Sequence, residues 1–497
     1  MELCKEYKSL CFNESREKIR ESVELDFQEN LPQYLDDIEK IIRCSVNSTV
    51  TDYDFHNSSI TVYGKSIISI TYKSGDSCIL SNIFEEEFSK TFDLNNCESF
   101  CFAKIKLKTK YNNIHLINQR RIDVHTALSV CIEAFCSNSA EYLCTCKNAF
   151  FKSYNADCLS CKSSGIAGID FDENISVIEN DTQIKNIINC FADCRIDDKK
   201  IIKDKMLVKG TVSVCFVYEC MNGEIQKTAT AFTVSKIIEA TNLDENDTAF
   251  VFASISNAYV KAKADESNNL KIIEFAGKAT VNYQIYSTEN IHVNIDSYVP
   301  HYKTNTQLKS LNIKENPQLF YDDKTLELDF DCDGELVEII DLQAKITNQE
   351  IVDSCLKLEL CLSFIYYDDK SNICFCEKKK ETQIRLADSK LSGSCNTSLL
   401  SYDYVIKNGG RIALRANLEY QAFLFTESKI NFITDVDVSD EISPVNSPQL
   451  TLYFADKEED TWEIAKRFST SAQLIIDENG LSSDIVDSKR ILLIPGI

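Results

Sequence analysis

Ser59-Ile60-Thr61-Val62-Tyr63-Gly64-Lys65-Ser66-Ile67-Ile68-Ser69-Ile70-Thr71-Tyr72 is the stretch on which the fold turns. Ile60, Val62, Ile68, Ile70 and Tyr72 share one parity, the signature of a strand with one face in a core. Gly64 interrupts the run, and a glycine inside a strand marks a bulge or a close backbone crossing. The same reading applies 146 residues later, where Val208, Val212, Val214, Phe216 and Tyr218 alternate around Gly210. Extending the comparison upstream gives seven identities in one ungapped register. Ile38, Ile41, Ile42, Cys44, Val62, Gly64 and Tyr72 recur as Ile184, Ile187, Ile188, Cys190, Val208, Gly210 and Tyr218. Self-similarity at a fixed spacing identifies a structural unit used more than once.

A third, weaker copy follows. Leu336, Ile339 and Ile340 repeat the opening triplet, and Leu356 and Tyr366 repeat the strand, with Leu358 in the glycine position. The later half of the unit recurs too, as Arg121, Ile122, Val124, Leu128 and Val130 match Arg411, Ile412, Leu414, Leu418 and Tyr420 at an offset of 290. The triplet Ile38, Ile41, Ile42 has i, i+3, i+4 spacing, which predicts a short helix at the start of each unit. Period-2 runs at 129–135, 280–286 and 417–423, rich in Val, Ile, Tyr, Phe and Thr, predict antiparallel sheet elsewhere. The expected fold class is mainly β with short helices, built from three domains of about 130 residues, a normal domain size.

The 497 residues are 44% hydrophobic and 26% charged, with only 13 Gly and 6 Pro, which fits folded domains and excludes long flexible or collagen-like segments. A formal charge of −24 disfavours nucleic acid as a partner, because phosphates are repelled. It suits a basic protein partner, or simply keeps the chain soluble. No apolar run is long enough for a transmembrane helix. The start, Met1-Glu2-Leu3-Cys4-Lys5-Glu6, lacks the basic and apolar regions of a signal peptide, so a cytoplasmic protein is expected. Beside that, 22 cysteines are unusual. They are readable as reduced thiols, metal ligands, later cross-links or small buried apolar side chains.

Leu31-Pro32-Gln33-Tyr34-Leu35-Asp36-Asp37-Ile38-Glu39-Lys40-Ile41-Ile42 resembles the entry segment of the SPOCS domain, and Arg120-Arg121-Ile122-Asp123-Val124-His125-Thr126-Ala127-Leu128-Ser129-Val130 resembles its closing strand. The C-terminus resembles a LysM module. Leu450-Thr451-Leu452-Tyr453-Phe454 reads as a strand. Asp460-Thr461-Trp462-Glu463-Ile464-Ala465-Lys466-Arg467-Phe468 reads as a helix with Asp460 as N-cap and Glu463 completing a capping box. A second helix carries Leu474 and Ile475 and ends near Asn479-Gly480, and Ile491-Leu492-Leu493-Ile494-Pro495 closes the βααβ order. The expected organisation is a SPOCS-like domain at 1–137, a Cys-rich connector at 138–168, SPOCS-like domains at 169–305 and 306–445, and a LysM-like domain at 446–497. SPOCS domains recur in clostridial sporulation proteins, commonly before a C-terminal LysM. The resemblance therefore implies a non-enzymatic spore-coat scaffold in the mother cell, at the forespore surface. Its partners would be the coat basement ATPase and other coat proteins. The alternative is a LysM protein bound to peptidoglycan in wall or cortex.

Within the module the resemblance points to Asp460, Thr461, Trp462 and Asn479 as partner- or glycan-binding residues. The family's usual Gly-Asp-Thr turn is Glu459-Asp460-Thr461 here, and the module carries five Lys or Arg against nine Asp or Glu. Both features favour a protein partner over an anionic wall polymer. Trp462 is either core of a small domain or an interface anchor. Cys144, Cys146, Cys158 and Cys161 form C-x-C-x11-C-x2-C. Four thiolates so spaced suit a zinc site, a disulfide or cross-link pair, or free thiols; no other cofactor is expected. Gly64-Lys65-Ser66 is not a phosphate loop, since Ser59 stands where the motif needs glycine. His56, His115, His125, His292 and His301 form no metalloprotease pattern, and no G-x-S-x-G elbow occurs. No catalytic residue is assigned.

Overall fold

The computed structural model describes residues 4–75, 78–94, 100–177, 183–331, 336–387, 391–407, 410–441 and 450–496. The expected boundary at 445/446 lies outside the described residues. Among the described residues, eighteen strands precede the C-terminal module in three sets of six. The first set is β1 (Lys5–Asn30), β2 (Ile38–His56), β3 (Ser59–Ser74), β4 (Ile79–Asp93), β5 (Phe100–Asn118) and β6 (Arg121–Cys146). The second is β7 (Phe150–Ser176), β8 (Ile184–Ile202), β9 (Lys205–Cys220), β10 (Ile225–Glu239), β11 (Thr248–Ala264) and β12 (Leu270–Tyr298). The third is β13 (Tyr302–Asp331), β14 (Glu338–Val352), β15 (Cys355–Tyr367), β16 (Ile373–Arg385), β17 (Ser392–Lys407) and β18 (Arg411–Glu441).

Each set makes two antiparallel sheets with one strand order. The inner strands give β2-β3-β4, β8-β9-β10 and β14-β15-β16. The outer strands give β1-β6-β5, β7-β12-β11 and β13-β18-β17, the last two joined into six strands where Glu315 pairs with Cys158. In each set the first strand lies beside the last. Apolar residues of both sheets fill each unit, with Tyr72, Tyr218 and Phe364 among the largest fully buried side chains. The closing-strand residues Ile122, Val124 and Leu128, and their counterparts Ile412, Leu414 and Leu418, are buried.

The expected helices at the triplets are strands, and β-bulges explain the misreading. Register shifts fall between Ile38 and Lys40, Ile41 and Arg43, and Val50 and Asp52. In the second unit they fall between Ile184 and Asn186, Ile187 and Asn189, and Ile196 and Asp198, the same three places. Each bulge inserts one residue, so inward side chains recur at i+3 instead of i+2. Ile38, Ile41, Cys44 and Val46 thus face one core while Ile42 leaves it for another. Gly64 and Gly210 pair with Val50 and Ile196, at the third bulge. A Cβ at Gly210 would stand 2.6 Å from the Arg195 carbonyl, and one at Gly64 would overlap the Phe88 ring. In the third unit the corresponding bulge sits between Ile346 and Asn348, opposite Leu360 and Glu359 rather than beside Leu358, so Leu358 fits.

The stretch 138–168 is no connector. It is the end of β6 and most of β7, separated by a short turn at 147–149.

The three units share their seams. Ile42, Ile188 and Ile340 occupy equivalent positions and meet, with Ile79, Val217 and Ile365, in one buried cluster. The next residues are Arg43, Asn189 and Asp341. One Asp341 oxygen accepts from the Arg43 guanidinium at 3.1 Å and from the Asn189 amide at 2.8 Å, with Arg43 and Asp341 buried and Asn189 half-buried. Further along, Cys158, Ile291, Leu311, Ile430 and Phe432 bring all three units together around Ala140. Lys5 of β1 reaches Asp435 and Asp437 of β18 at 2.7 and 3.1 Å, and the Tyr7 hydroxyl donates to Asp435 at 3.0 Å. The first unit is thereby tied to the third as well as to the second.

Candidate functional site: the C-terminal module and its seat

The module runs β19 (Leu450–Ala455), α1 (Thr461–Phe468), α2 (Ala472–Asn479) and β20 (Arg490–Pro495), with β19 and β20 antiparallel. These are the only helices among the described residues. Asp460 caps α1, its Oδ1 accepting from the Trp462 amide at 2.8 Å. Ser469 and Gly480 end the helices in the left-handed conformation that stops a helix. Ile464, Ala465, Ile475, Leu492 and Ile494 form the small core.

The four residues singled out in the sequence divide into two pairs. Thr461 is fully buried, and its amide and hydroxyl both donate to the Asp484 carbonyl, at 2.8 and 2.9 Å. The Asn479 amide group donates to the Ile475 and Leu493 carbonyls and its oxygen accepts from the Leu493 amide, so α2 is tied to β20. Both are internal ties with their polar groups satisfied. Asp460 and Trp462 instead come together where α1 sits on the second unit. The Trp462 ring is 8% exposed and meets Tyr298 edge-on at 4.9 Å between centroids. Its indole N–H donates to Asp296 at 2.8 Å, and Lys466 reaches the same carboxylate at 2.8 and 2.9 Å. Lys152 of β7 pairs with Asp460, and the Tyr298 hydroxyl donates to the Thr470 carbonyl.

The electrostatics of the seat are self-consistent. Burial pushes the Asp296 carboxyl up, but the Lys466 ammonium and the Trp462 N–H outweigh it and hold the pKa below the ordinary value. Burial and the Asp296 charge raise the Tyr298 hydroxyl. An indole wedge between a charged pair and a tyrosine anchors a surface.

Sequence reasoning missed Lys152, Asp296 and Tyr298, which lie in strands of another unit and carry no local signal. It also missed the outward face of the module. Leu450, Leu452 and Phe454 share one parity of β19, and Ile491 pairs with Phe454 across the sheet; all four are exposed. That alternation was visible in the sequence.

The four linker cysteines do not gather. Cys144 and Cys146 end β6, whereas Cys158 and Cys161 lie well inside β7. Three residues of regular strand put Cys158 and Cys161 on opposite faces, about 10 Å apart along the strand. They enter different clusters, Cys158 beside Ile291 and Leu311, Cys161 beside Phe102, Phe135 and Tyr286. Burial pushes their thiols up to about 11 and about 12, away from the thiolate a metal needs. Among the described residues no three His, Cys, Asp or Glu side chains are placed to hold a metal. Strand geometry thus overturns the zinc reading. Cys136, by contrast, is disulfide-bonded.

No helix among the described residues is long and apolar enough to cross a membrane. No curated protein and no solved structure matches the chain. Residues 183–263 match the family model described as SipL, SPOCS domain, over β8 to β11 of the second unit, and this supports a SPOCS domain in the chain.

Proposed function

We propose that this protein is a non-enzymatic assembly protein of sporulation: three SPOCS-like units and a LysM-like module that link coat proteins to the forespore surface through protein contacts. The observation that carries the reading is the mutual locking of its parts. Equivalent isoleucines of three units share one core, an Arg–Asn–Asp cluster joins them, and Trp462 seats the module. Such a body holds binding surfaces at fixed separations, which is what a scaffold requires. The SPOCS match supports the sporulation context. Asp460 and Trp462 are taken up by the seat, so a partner of either kind would have to meet other surfaces of the module.

The test is to tag the full chain in sporulating clostridial cells, locate it, and capture its partners. Localisation to the forespore surface with co-capture of the coat basement ATPase is expected. Diffuse signal through sporulation would refute the reading. Sedimentation of the purified chain with peptidoglycan, without capture of coat proteins, would favour the wall- or cortex-binding alternative.

A further inference from the structure

The outer face of the β19–β20 sheet has no role in the module's fold or in its seat. Leu450, Leu452, Phe454 and Ile491 are 52%, 63%, 76% and 52% exposed, on one face of two paired strands. The seat uses α1 and the turn between α1 and α2, not this face. We propose that a second copy of the same chain covers this face, joining two bodies through their C-terminal modules.

Three observations favour a second copy. The first is area. Four such side chains expose on the order of 400–500 Å², the size of the largest apolar patch on a typical monomer and often functional there. Two such faces brought together bury on the order of 1,000 Å², the lower bound of a specific interface. The second is charge. The chain carries −24, so most of its surface repels a like copy. The outward positions 450, 452, 454 and 491 hold no charge, and at the end of the patch Lys489 and Asp456 pair at 2.8 Å with opposite signs. The third is shape. A flat two-stranded face is complementary to itself under a twofold rotation, the commonest way soluble chains pair. Leu452 lies at the centre of the patch and would meet its own counterpart. The inference does not depend on which coat or wall partner the body engages.

Sedimentation of the full chain under reducing conditions tests it. The expected species has about twice the 56.5 kDa chain mass at low micromolar concentration. Leu452→Glu and Leu452→Lys should each lose the dimer, because like charges would face each other across the twofold. An equimolar mixture of the two should regain it. Phe454→Glu should also be monomeric, and its melting temperature should match that of the wild-type chain diluted until the dimer dissociates, since these side chains are exposed in the single chain. A wild-type chain that stays monomeric at about 100 µM overturns the proposal. A dimer that survives both glutamate variants does so as well, and so does a monomer whose face captures a different protein in a Leu452-dependent way.

Discussion

Replacing Asp341 by alanine is the sharpest test of how the three units are joined. Its carboxylate accepts from Arg43 at the seam and also from Asn189. The side chains of Arg43 and Asp341 are only 8% and 4% exposed. Losing the carboxylate leaves a guanidinium buried without a counter-charge. Such a loss costs about 3–5 kcal/mol, whereas replacing both partners by apolar groups is often neutral or stabilising. The pair should therefore be costly to break and cheap to remove. If a body of about 440 residues melts as one unit, its unfolding entropy is roughly 0.9 kcal/mol/K, so Asp341→Ala should lower the melting temperature by about 3–5 °C. Arg43→Met combined with Asp341→Leu should recover most of that loss. Calorimetry on Arg43→Met, Asp341→Leu and the double variant completes the cycle. A shift below about 1 °C in Asp341→Ala, or a double variant as unstable as the single, would show that water solvates the seam and the cluster does not hold the units.

Two further outcomes follow from named contacts. Trp462 is the chain's only tryptophan, so its emission reports the seat alone. Tyr298→Ala should red-shift that emission and increase acrylamide quenching several-fold, and unchanged quenching would mean that the module is not seated there. Glu29 of β1 has its pKa pushed up to about 7 by burial and by the neighbouring Glu86 of β4. A carboxyl raised in the folded state holds its proton there and must give it up as pH rises. Stability should therefore fall as pH increases from about 4.5 toward 7, and Glu86→Gln should flatten that fall in urea titrations. An unchanged slope in the variant would disprove the coupling.

Strand periodicity made the sheets legible. Ile60 to Tyr72 form a strand as their parity requires, and the offset of 146 carries over to the bulges, which fall at equivalent places in β2 and β8. The triplets failed because a bulged strand and a helix both return an apolar side chain after three residues. Spacing alone does not separate them. The segment holding Cys144 to Cys161 looked like a connector because its cysteines invited a ligand reading, yet in β7 those at 158 and 161 serve as small buried apolar groups. For the candidate site, the elements of the module were readable from caps and alternation. Its orientation was not, because Asp296 and Tyr298 enter from 166 and 172 residues away through Trp462 and Thr470. The Arg43–Asn189–Asp341 cluster was hidden differently: the three residues occupy one aligned position but have unlike chemistry, so a search for identities passes over them.

The placement of the first strand beside the last has a consequence for synthesis. β1 finds its partner only when β6 exists: Asn30 pairs with Arg121, and Lys5 with Cys146. At roughly 5–20 residues per second, a ribosome leaves β1 waiting for about 6–25 s after its own last residue is made. During that interval its 26 residues have no partner, and their backbone groups are open to pairing with any neighbouring nascent chain. Its composition answers the hazard. Lys5, Glu6, Lys8, Glu14, Arg16, Glu17, Lys18, Arg20, Glu21, Glu24, Asp26 and Glu29 keep charge along almost its whole length. Such residues act as gatekeepers, holding the strand in solution until its own chain supplies the partner.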